Sequence, residues 1–122
     1  ARLVDGQVGG KAGGEEGLFL VDTGAAFTSV AKDLVPANRQ QGRPVDLRGA
    51  QGSLFGAVRV GPLAFQVGRR AMVDIAPVAM DLRQVSQMEG VEISGILGYS
   101  VLGRSSLKID LRNGIVEIAR AR

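Results

Sequence analysis

The sequence predicts an all-β fold in which one closed sheet carries one or two short helices. Apolar runs of strand length alternate with glycine-marked turns, and 18 of the 122 residues are glycine. Glycine suits tight turns because it enters left-handed backbone conformations without a steric penalty. The length suits one domain over residues 1–122, and Leu, Ile, Val and Ala must fill most of its core because only 4% of residues are aromatic.

Nine strands are predicted in chain order from apolar runs bounded by turn residues. They are Arg2–Val8, Gly17–Val21, Phe27–Ala31, Val45–Arg48, Leu54–Val60, Leu63–Val67, Ala71–Ile75, Leu107–Leu111 and Ile115–Ala119. Gly61-Pro62 predicts a turn between two of them, and the glycine-rich segment Gly9–Gly14 predicts a hairpin loop. Asn113-Gly114 is a preferred hairpin turn pair, so the last two strands are predicted to pair.

Two short helices are predicted in the second half of the chain. Over Asp81–Met88, three apolar residues (Leu82, Val85 and Met88) recur every third position on one face, behind an acidic residue suited to a helix start. Tyr99–Arg104 is predicted to form a shorter turn of helix.

Composition excludes several kinds of active site. The chain has no Cys and no His, which excludes disulfides, Ser-His-Asp and Cys-His catalysis, and His-containing zinc sites. The net charge of +3 admits a nucleic-acid-binding barrel. The basic residues are scattered, however, and only Arg69 and Arg70 are adjacent. No aromatic stacking residues interleave with the basic residues, so no nucleic-acid partner is predicted. No apolar run approaches the roughly 18 residues of a membrane span.

The clearest candidate site is Asp22-Thr23-Gly24-Ala25, which directly follows the apolar run Leu18–Val21. A carboxylate at the end of a core strand is costly to bury unless it is hydrogen-bonded or shares a proton. The Thr23 hydroxyl can lock such a loop, Gly24 permits a close backbone approach, and the small Ala25 leaves a cleft open. The alternative is an ordinary turn, because Asp, Thr and Gly are all turn formers.

A second segment, Ser94–Leu102, contains Ile96-Leu97-Gly98. With both segments the chain resembles the retropepsin-like aspartic proteases, particularly the bacterial single-lobed aspartyl-protease-family domains. Those domains carry Asp-Thr-Gly-Ala after an apolar strand, then an apolar-apolar-Gly element, a short helix and a closing hairpin. The resemblance runs roughly from Leu3 to Ile118 and implies a retropepsin-like single-lobe closed barrel.

The resemblance implies an aspartic endopeptidase acting on a peptide or protein substrate, with no metal and no organic cofactor. Asp22 matches the catalytic carboxylate, Thr23 and Gly24 support it, and Ala25 lines the cleft. A segment between the two motifs matches a flap over the cleft, although an ordinary glycine-rich hairpin fits equally well. Its residues are Gly49, Ala50, Gln51, Gly52 and Ser53. Ala26 departs from the family, which often has a polar or acidic residue at that position.

Aspartic proteases use two carboxylates, and only one Asp of this chain is followed by Thr-Gly. The second is expected from another copy of Asp22, in a homodimer that interleaves Arg2–Val8 and Ile115–Ala119, or from a related domain missing from this chain. The alternative function is a catalytically inactive, protease-like binding or dimerisation module. Because the chain begins with Ala1, we expect a processed chain or a fragment of a longer or tandem protein. A bacterial periplasmic or extracytoplasmic location would fit if a targeting segment had been removed.

Overall fold

The structure of the protein is a computed structural model that describes residues 3–4, 6–35, 40–44, 57–110 and 112–120. Within these ranges the fold is all-β with short helices, as predicted. The strands are β1 (Leu3–Val4), β2 (Gln7–Ala12), β3 (Glu15–Val21), β4 (Ser29–Ala31), β5 (Gln40–Pro44), β6 (Val58–Val60), β7 (Leu63–Val67), β8 (Arg70–Asp74), β9 (Val78–Met80), β10 (Gly95–Leu97), β11 (Ser105–Asp110) and β12 (Ile115–Arg120). The helical elements are a 3₁₀ turn (Lys32–Leu34), α1 (Arg83–Glu89) and α2 (Tyr99–Leu102).

Most of the described strands join one sheet that curls into a half-barrel. Its strand order is β5-β6-β9-β4-β10-β3-β2-β7-β8, with β1 paired to β2, while β11 and β12 form a separate hairpin. At the centre, β10 runs parallel to β3 and antiparallel to β4. Because parallel strands end at the same edge of a sheet, the residues that follow β3 and β10 meet there, which brings both sequence motifs together.

The core lies inside the curl of the sheet. Phe19 on β3 and Phe65 on β7 are each 1% exposed, and their rings meet edge to face with centroids 6.4 Å apart. The closing hairpin covers this core, because Val116 and Ile118 of β12 point inward and are buried. Along β7, buried and exposed residues alternate strictly. Among the described residues, most of the remaining core volume comes from aliphatic side chains, as the low aromatic content predicted.

Several predicted elements are confirmed. β7 has the predicted bounds, and β3 extends the predicted Gly17–Val21 by two residues. The predicted turn at Gly61-Pro62 is not observed, because these residues form an irregular link between two strands that do not pair. β11 and β12 pair in register from Ser105 to Asp110, so the closing hairpin forms. Its connection spans residues 111–114 instead of a two-residue turn. Asp110 accepts hydrogen bonds there from the backbone N–H and the Nδ2 of Asn113, at 3.2 and 2.8 Å, which lower the pKa of its carboxyl.

The N-terminal predictions need correction. The predicted strand Arg2–Val8 is interrupted at Gly6, whose φ of 76° turns the chain between β1 and β2. The predicted loop Gly9–Gly14 is wrong over its first four residues, because Gly9 to Ala12 lie within β2. A Cβ on Gly10 would lie 2.6 Å from the carbonyl oxygen of Gln66, so this glycine permits close strand approach. The turn itself is confined to Gly13 and Gly14, both at positive φ.

Other boundaries also differ from prediction. β4 begins two residues after the predicted Phe27, because Phe27 and Thr28 belong to the loop described below. β6 is the described end of Leu54–Val60, while Val45–Arg48 lies outside the described residues. Neither β9 nor β10 was predicted, since three-residue strands carry little periodicity. α1 starts at Arg83, and Met88 is 87% exposed instead of sharing the buried face of Leu82 and Val85.

Replacing Phe65 with Ala is expected to lower the free energy of unfolding by about 3–5 kcal/mol, because it removes the ring packed on Phe19 and leaves a cavity. Val73→Ala provides a matched control, since Val73 lies on the neighbouring strand β8 and is 60% exposed. That change should stay within about 0.5 kcal/mol of the parent. Urea unfolding followed by circular dichroism measures both, and equal midpoints for the two variants would contradict the assigned core.

Candidate active site

Asp22 stands where β3 ends, and the neighbouring strand β10 sets its position. The Asp22 N–H donates a hydrogen bond to the Leu97 carbonyl oxygen at 3.0 Å, which continues the β3–β10 pairing into the loop. The Gly24 N–H donates to Asp22 Oδ1 at 3.0 Å, and the Ala25 N–H donates to the Asp22 carbonyl at 3.2 Å. Asp22 thus sits in a tight turn that orients its carboxylate from both the backbone and the side chain.

The Asp22 carboxylate is exposed in the single chain. The burial cost expected for it from sequence is therefore not incurred within one lobe. Asp22 Oδ1 accepts the Gly24 N–H, and Oδ2 has no hydrogen-bond partner among the described residues. This arrangement presents a hydrogen-bond acceptor at a fixed place on the surface.

The loop between β3 and β4 runs from Asp22 to Thr28 and is called the Asp22 loop below. Helix α2 holds its C-terminal half. The N–H groups of Tyr99 and Ser100 donate to the carbonyl oxygens of Ala25 and Ala26, at 2.7 and 3.2 Å. A side chain at Gly98 would collide with the Phe27 carbonyl and would lie 2.8 Å from the Ala25 carbonyl oxygen. Gly98 is therefore required by the close approach of two backbones.

A polar cluster whose Thr28 and Asp74 are buried and whose Ser100 is exposed lies directly behind the loop. Thr28 is fully buried, and its Oγ1 accepts a hydrogen bond from the Gly98 N–H at 3.0 Å. The Thr28 N–H donates to Ser100 Oγ at 3.0 Å, and the Ser100 hydroxyl donates to Asp74 Oδ2 at 2.6 Å. Asp74 Oδ1 accepts the Ala76 N–H at 2.9 Å. This polar cluster (Thr28, Ser100 and Asp74) links three segments that are distant in sequence.

Sequence reasoning missed this polar cluster, although one signal was present. Period-two alternation along β8 puts Met72 and Asp74 on the same face, and both are buried. An acidic residue on the apolar face of a strand marks a buried carboxylate, which must find hydrogen-bond donors. Thr28 and Ser100 carried no comparable signal, because small hydroxyl residues are common in loops and short helices.

The predicted site residues fall into three groups. Asp22–Ala25 and Ile96–Gly98 lie together, with Leu97 fully buried and Ile96 packed on a small apolar cluster beside it. The Thr23 hydroxyl, expected to lock the loop, has no hydrogen-bond partner among the described residues, and the locking groups are those of α2 and Thr28. The predicted flap residues Gly49–Ser53 lie outside the described residues.

Elsewhere, a cavity of about 730 Å³ lies between the 3₁₀ turn, the end of β9 and α1, and its lining includes no residue of the Asp22 loop. At its edge, the hydrogen bonds from Arg83 lower the pKa of Asp81 to about 2. Within the described ranges no group of three or more acidic residues is placed to hold a metal ion. None of the helices in those ranges is long and apolar enough to cross a membrane.

Comparisons with known proteins agree with the all-β fold described above. A family model described as aspartyl protease matches residues 4–101. A search of curated proteins found no match. Among solved structures, the chain is similar to the retroviral protease-like domain of Ddi1 from Leishmania major, with a TM-score of 0.54 and 14% identity over 100% of this chain and 95% of that chain. It is also similar to a retropepsin-like aspartic protease from Rickettsia conorii, with a TM-score of 0.56 and 17% identity over 99% of this chain and 89% of that chain.

Gly98→Ala is expected to displace the Asp22 loop, because the added methyl overlaps the Phe27 carbonyl. The free energy of unfolding should fall by about 1–3 kcal/mol, and the amide chemical shifts of Ala25 to Thr28 should change. Gly9→Ala is the control, since a Cβ at Gly9 meets nothing within 4 Å. Two-dimensional amide spectra compare the variants; unchanged loop shifts in Gly98→Ala would contradict the close approach.

Proposed function

The chain belongs to the aspartyl protease family, and from that premise we propose that it hydrolyses peptide bonds through a water held between two Asp22 carboxylates. The observation that carries the proposal is the exposed Asp22 side chain, oriented by Gly24 at the end of β3. The family match spans this residue, and the retropepsin-like fold of the solved neighbours supports it.

The proposed mechanism needs two carboxylates that share one proton. Two carboxyl groups about 3 Å apart cannot both be ionised, because their negative charges repel each other. One of them therefore keeps its proton, and the titration belongs to the pair. The ionised carboxylate removes a proton from water, and the water oxygen attacks the scissile carbonyl carbon. The protonated partner donates a hydrogen bond to the developing oxyanion. Proton transfer to the amine nitrogen then completes cleavage of the C–N bond.

Other acidic residues are poor sources for the second carboxylate. Asp74 is engaged by Ser100 and Ala76, Asp81 by Arg83, and Asp110 by Asn113. None of them is followed by Thr-Gly or Ser-Gly. The second carboxylate is therefore assigned to Asp22 of another copy, with a related domain of a tandem protein as the alternative source.

The proposed substrate is a peptide or protein segment. Gly49–Ser53 is proposed as the flap over it, because this glycine-containing stretch lies between the two motifs in the sequence. Ala25, half-buried beside Asp22, is proposed to line the cleft. No metal or organic cofactor takes part in the proposed reaction.

A second candidate function is a protease-like module that binds or dimerises without hydrolysis. The observation in its favour is the exposed Ala26, which puts a methyl group where family members often have a polar residue for the substrate backbone. Phe27 and Tyr99, 42% and 65% exposed, extend this apolar character beside the loop. Such a surface suits protein contact as well as substrate.

Asp22→Asn is expected to lower peptide hydrolysis by at least about a hundredfold, because Asn cannot accept a proton from water. Stability should hardly change, since the residue is exposed and Asn Oδ1 can still accept the Gly24 N–H. Asp33→Asn, an exposed Asp on the 3₁₀ turn, is the control and should retain full activity. Cleavage of a mixed peptide library, with and without an aspartic-protease inhibitor, measures the effect.

Equal cleavage by wild type and Asp22→Asn would remove Asp22 from the mechanism. Absence of any inhibitor-sensitive cleavage by the wild-type dimer, at every pH from 3 to 8, would favour the binding module instead.

Self-association is expected, because one lobe supplies half of the carboxylate pair. We expect a symmetric homodimer of twice 12.7 kDa, with an interface that includes the Asp22–Ala25 loop and a terminal strand. Its exposed edges include β12, where Ile115 is 40% exposed. Sedimentation equilibrium measures the mass, and activity per chain should fall on dilution below the dissociation constant. A monomer at all concentrations would assign the second carboxylate to another domain.

A further inference from the structure

Asp74 is a buried carboxylate for which the proposed reaction has no use. Its side chain is 6% exposed, and no ion pair neutralises it within the part of the chain that the structure describes. Burying an unpaired carboxylate is costly unless hydrogen bonds replace its hydration. Its bonds come from the Ala76 N–H and from the Ser100 hydroxyl. The second of these connects Asp74 to the Asp22 loop.

The proton positions in the polar cluster follow from the donors available. Ser100 has one hydroxyl proton, and the 2.6 Å distance to Asp74 Oδ2 is typical of a charge-assisted O–H···O⁻ bond. That proton therefore points to Asp74. Ser100 Oγ is left to accept the Thr28 N–H, and the Thr28 hydroxyl, 3.0 Å away, can donate to it. The direction of each bond is set by the one group that can only accept.

Ser100 transmits this order to the Asp22 loop. Its backbone N–H donates to the Ala26 carbonyl, while its Oγ accepts the Thr28 N–H, so it holds the loop on both sides of Phe27. The Thr28 hydroxyl in turn accepts the Gly98 N–H, next to the β10 end that anchors the Asp22 N–H. A rotation of the Ser100 side chain would release the Thr28 N–H in a buried site, which is unfavourable.

We propose that Asp74 is a positioning residue for Asp22, acting through Ser100 and Thr28 to hold the Asp22 loop in one conformation. The proposal rests on the proposed function only where it calls Asp22 catalytic. Its physical basis is that an anionic acceptor fixes the direction of a hydroxyl that could otherwise rotate. A displacement of about 1 Å at a reacting group can cost a hundredfold in rate.

The central test compares Ser100→Ala with Ser100→Thr. Ala removes the hydroxyl, whereas Thr keeps it, and the exposed position of Ser100 leaves room for the extra methyl. We expect Ser100→Ala to lower kcat about ten- to a hundredfold with KM changed less than about threefold, and Ser100→Thr to restore kcat. Val116→Ala is the stability-matched control, because Val116 is fully buried on β12 and belongs neither to the Asp22 loop nor to the polar cluster; it should leave kcat within about twofold.

Asp74→Asn tests the carboxylate itself. An Asn side chain can accept only one of the two bonds that Asp74 accepts, and its NH₂ group must then face either the Ala76 N–H or the Ser100 proton. We expect a kcat between those of wild type and Ser100→Ala. Asp74→Asn with wild-type kcat, or Val116→Ala with a loss as large as that of Ser100→Ala, would overturn the proposal.

A readout independent of hydrolysis separates this inference from the proposed function. Backbone NMR order parameters of residues 22–25 should fall from about 0.85 towards about 0.6 in Ser100→Ala and stay near the wild-type value in Val116→Ala. If the wild-type dimer cleaves nothing but this loss of order appears, the protease proposal fails and the positioning inference stands. Order parameters unchanged in Ser100→Ala would overturn the inference whether or not the chain is active.

Discussion

The hydrogen bond from the Asp22 N–H to the Leu97 carbonyl is the contact on which the rest of the site depends. It extends the parallel pairing of β3 and β10 by one residue, so the two loops that leave these strands start side by side. From that point the backbones run so close that only glycine fits at position 98. A separation of more than 70 residues in sequence becomes a separation of one hydrogen bond in space.

The half-barrel has a packed core, and its Asp22 loop is exposed on one face. Aliphatic residues and the Phe19–Phe65 pair fill the core, and the β11–β12 hairpin covers it. The Asp22 loop, by contrast, is hydrogen-bonded on its inner side to Gly98 and α2, and its outer side is exposed. The carboxylate and the neighbouring Ala26, Phe27 and Tyr99 are exposed together. The proposed carboxylate pair would take its second member at this face, which is the physical reason for the proposed association of two lobes.

The polar cluster behind the loop joins the loop to α2 and β8 through hydrogen bonds, without aromatic residues or disulfides. Each buried donor of Gly98 and Thr28 finds an acceptor, and Asp74 ends the series because it accepts without donating. Close packing also explains the glycines at positions 10, 95 and 98. A Cβ at each of these positions would clash with a neighbouring backbone or aromatic ring.

The sequence by itself determined the elements whose information is local. The strand β7, the closing hairpin and the place of Asp22–Ala25 directly after a strand could all be predicted, because each depends on neighbouring residues. Tertiary structure alone decided the rest. The short strands β9 and β10 exist only because flanking strands pair with them. Position 10 lies in a strand and must be glycine, because a Cβ there would clash with the Gln66 carbonyl oxygen on β7. The partnership of Asp74 with Ser100 and Thr28 could not be predicted from any one segment, because a hydrogen bond between distant residues depends on how the sheet curls.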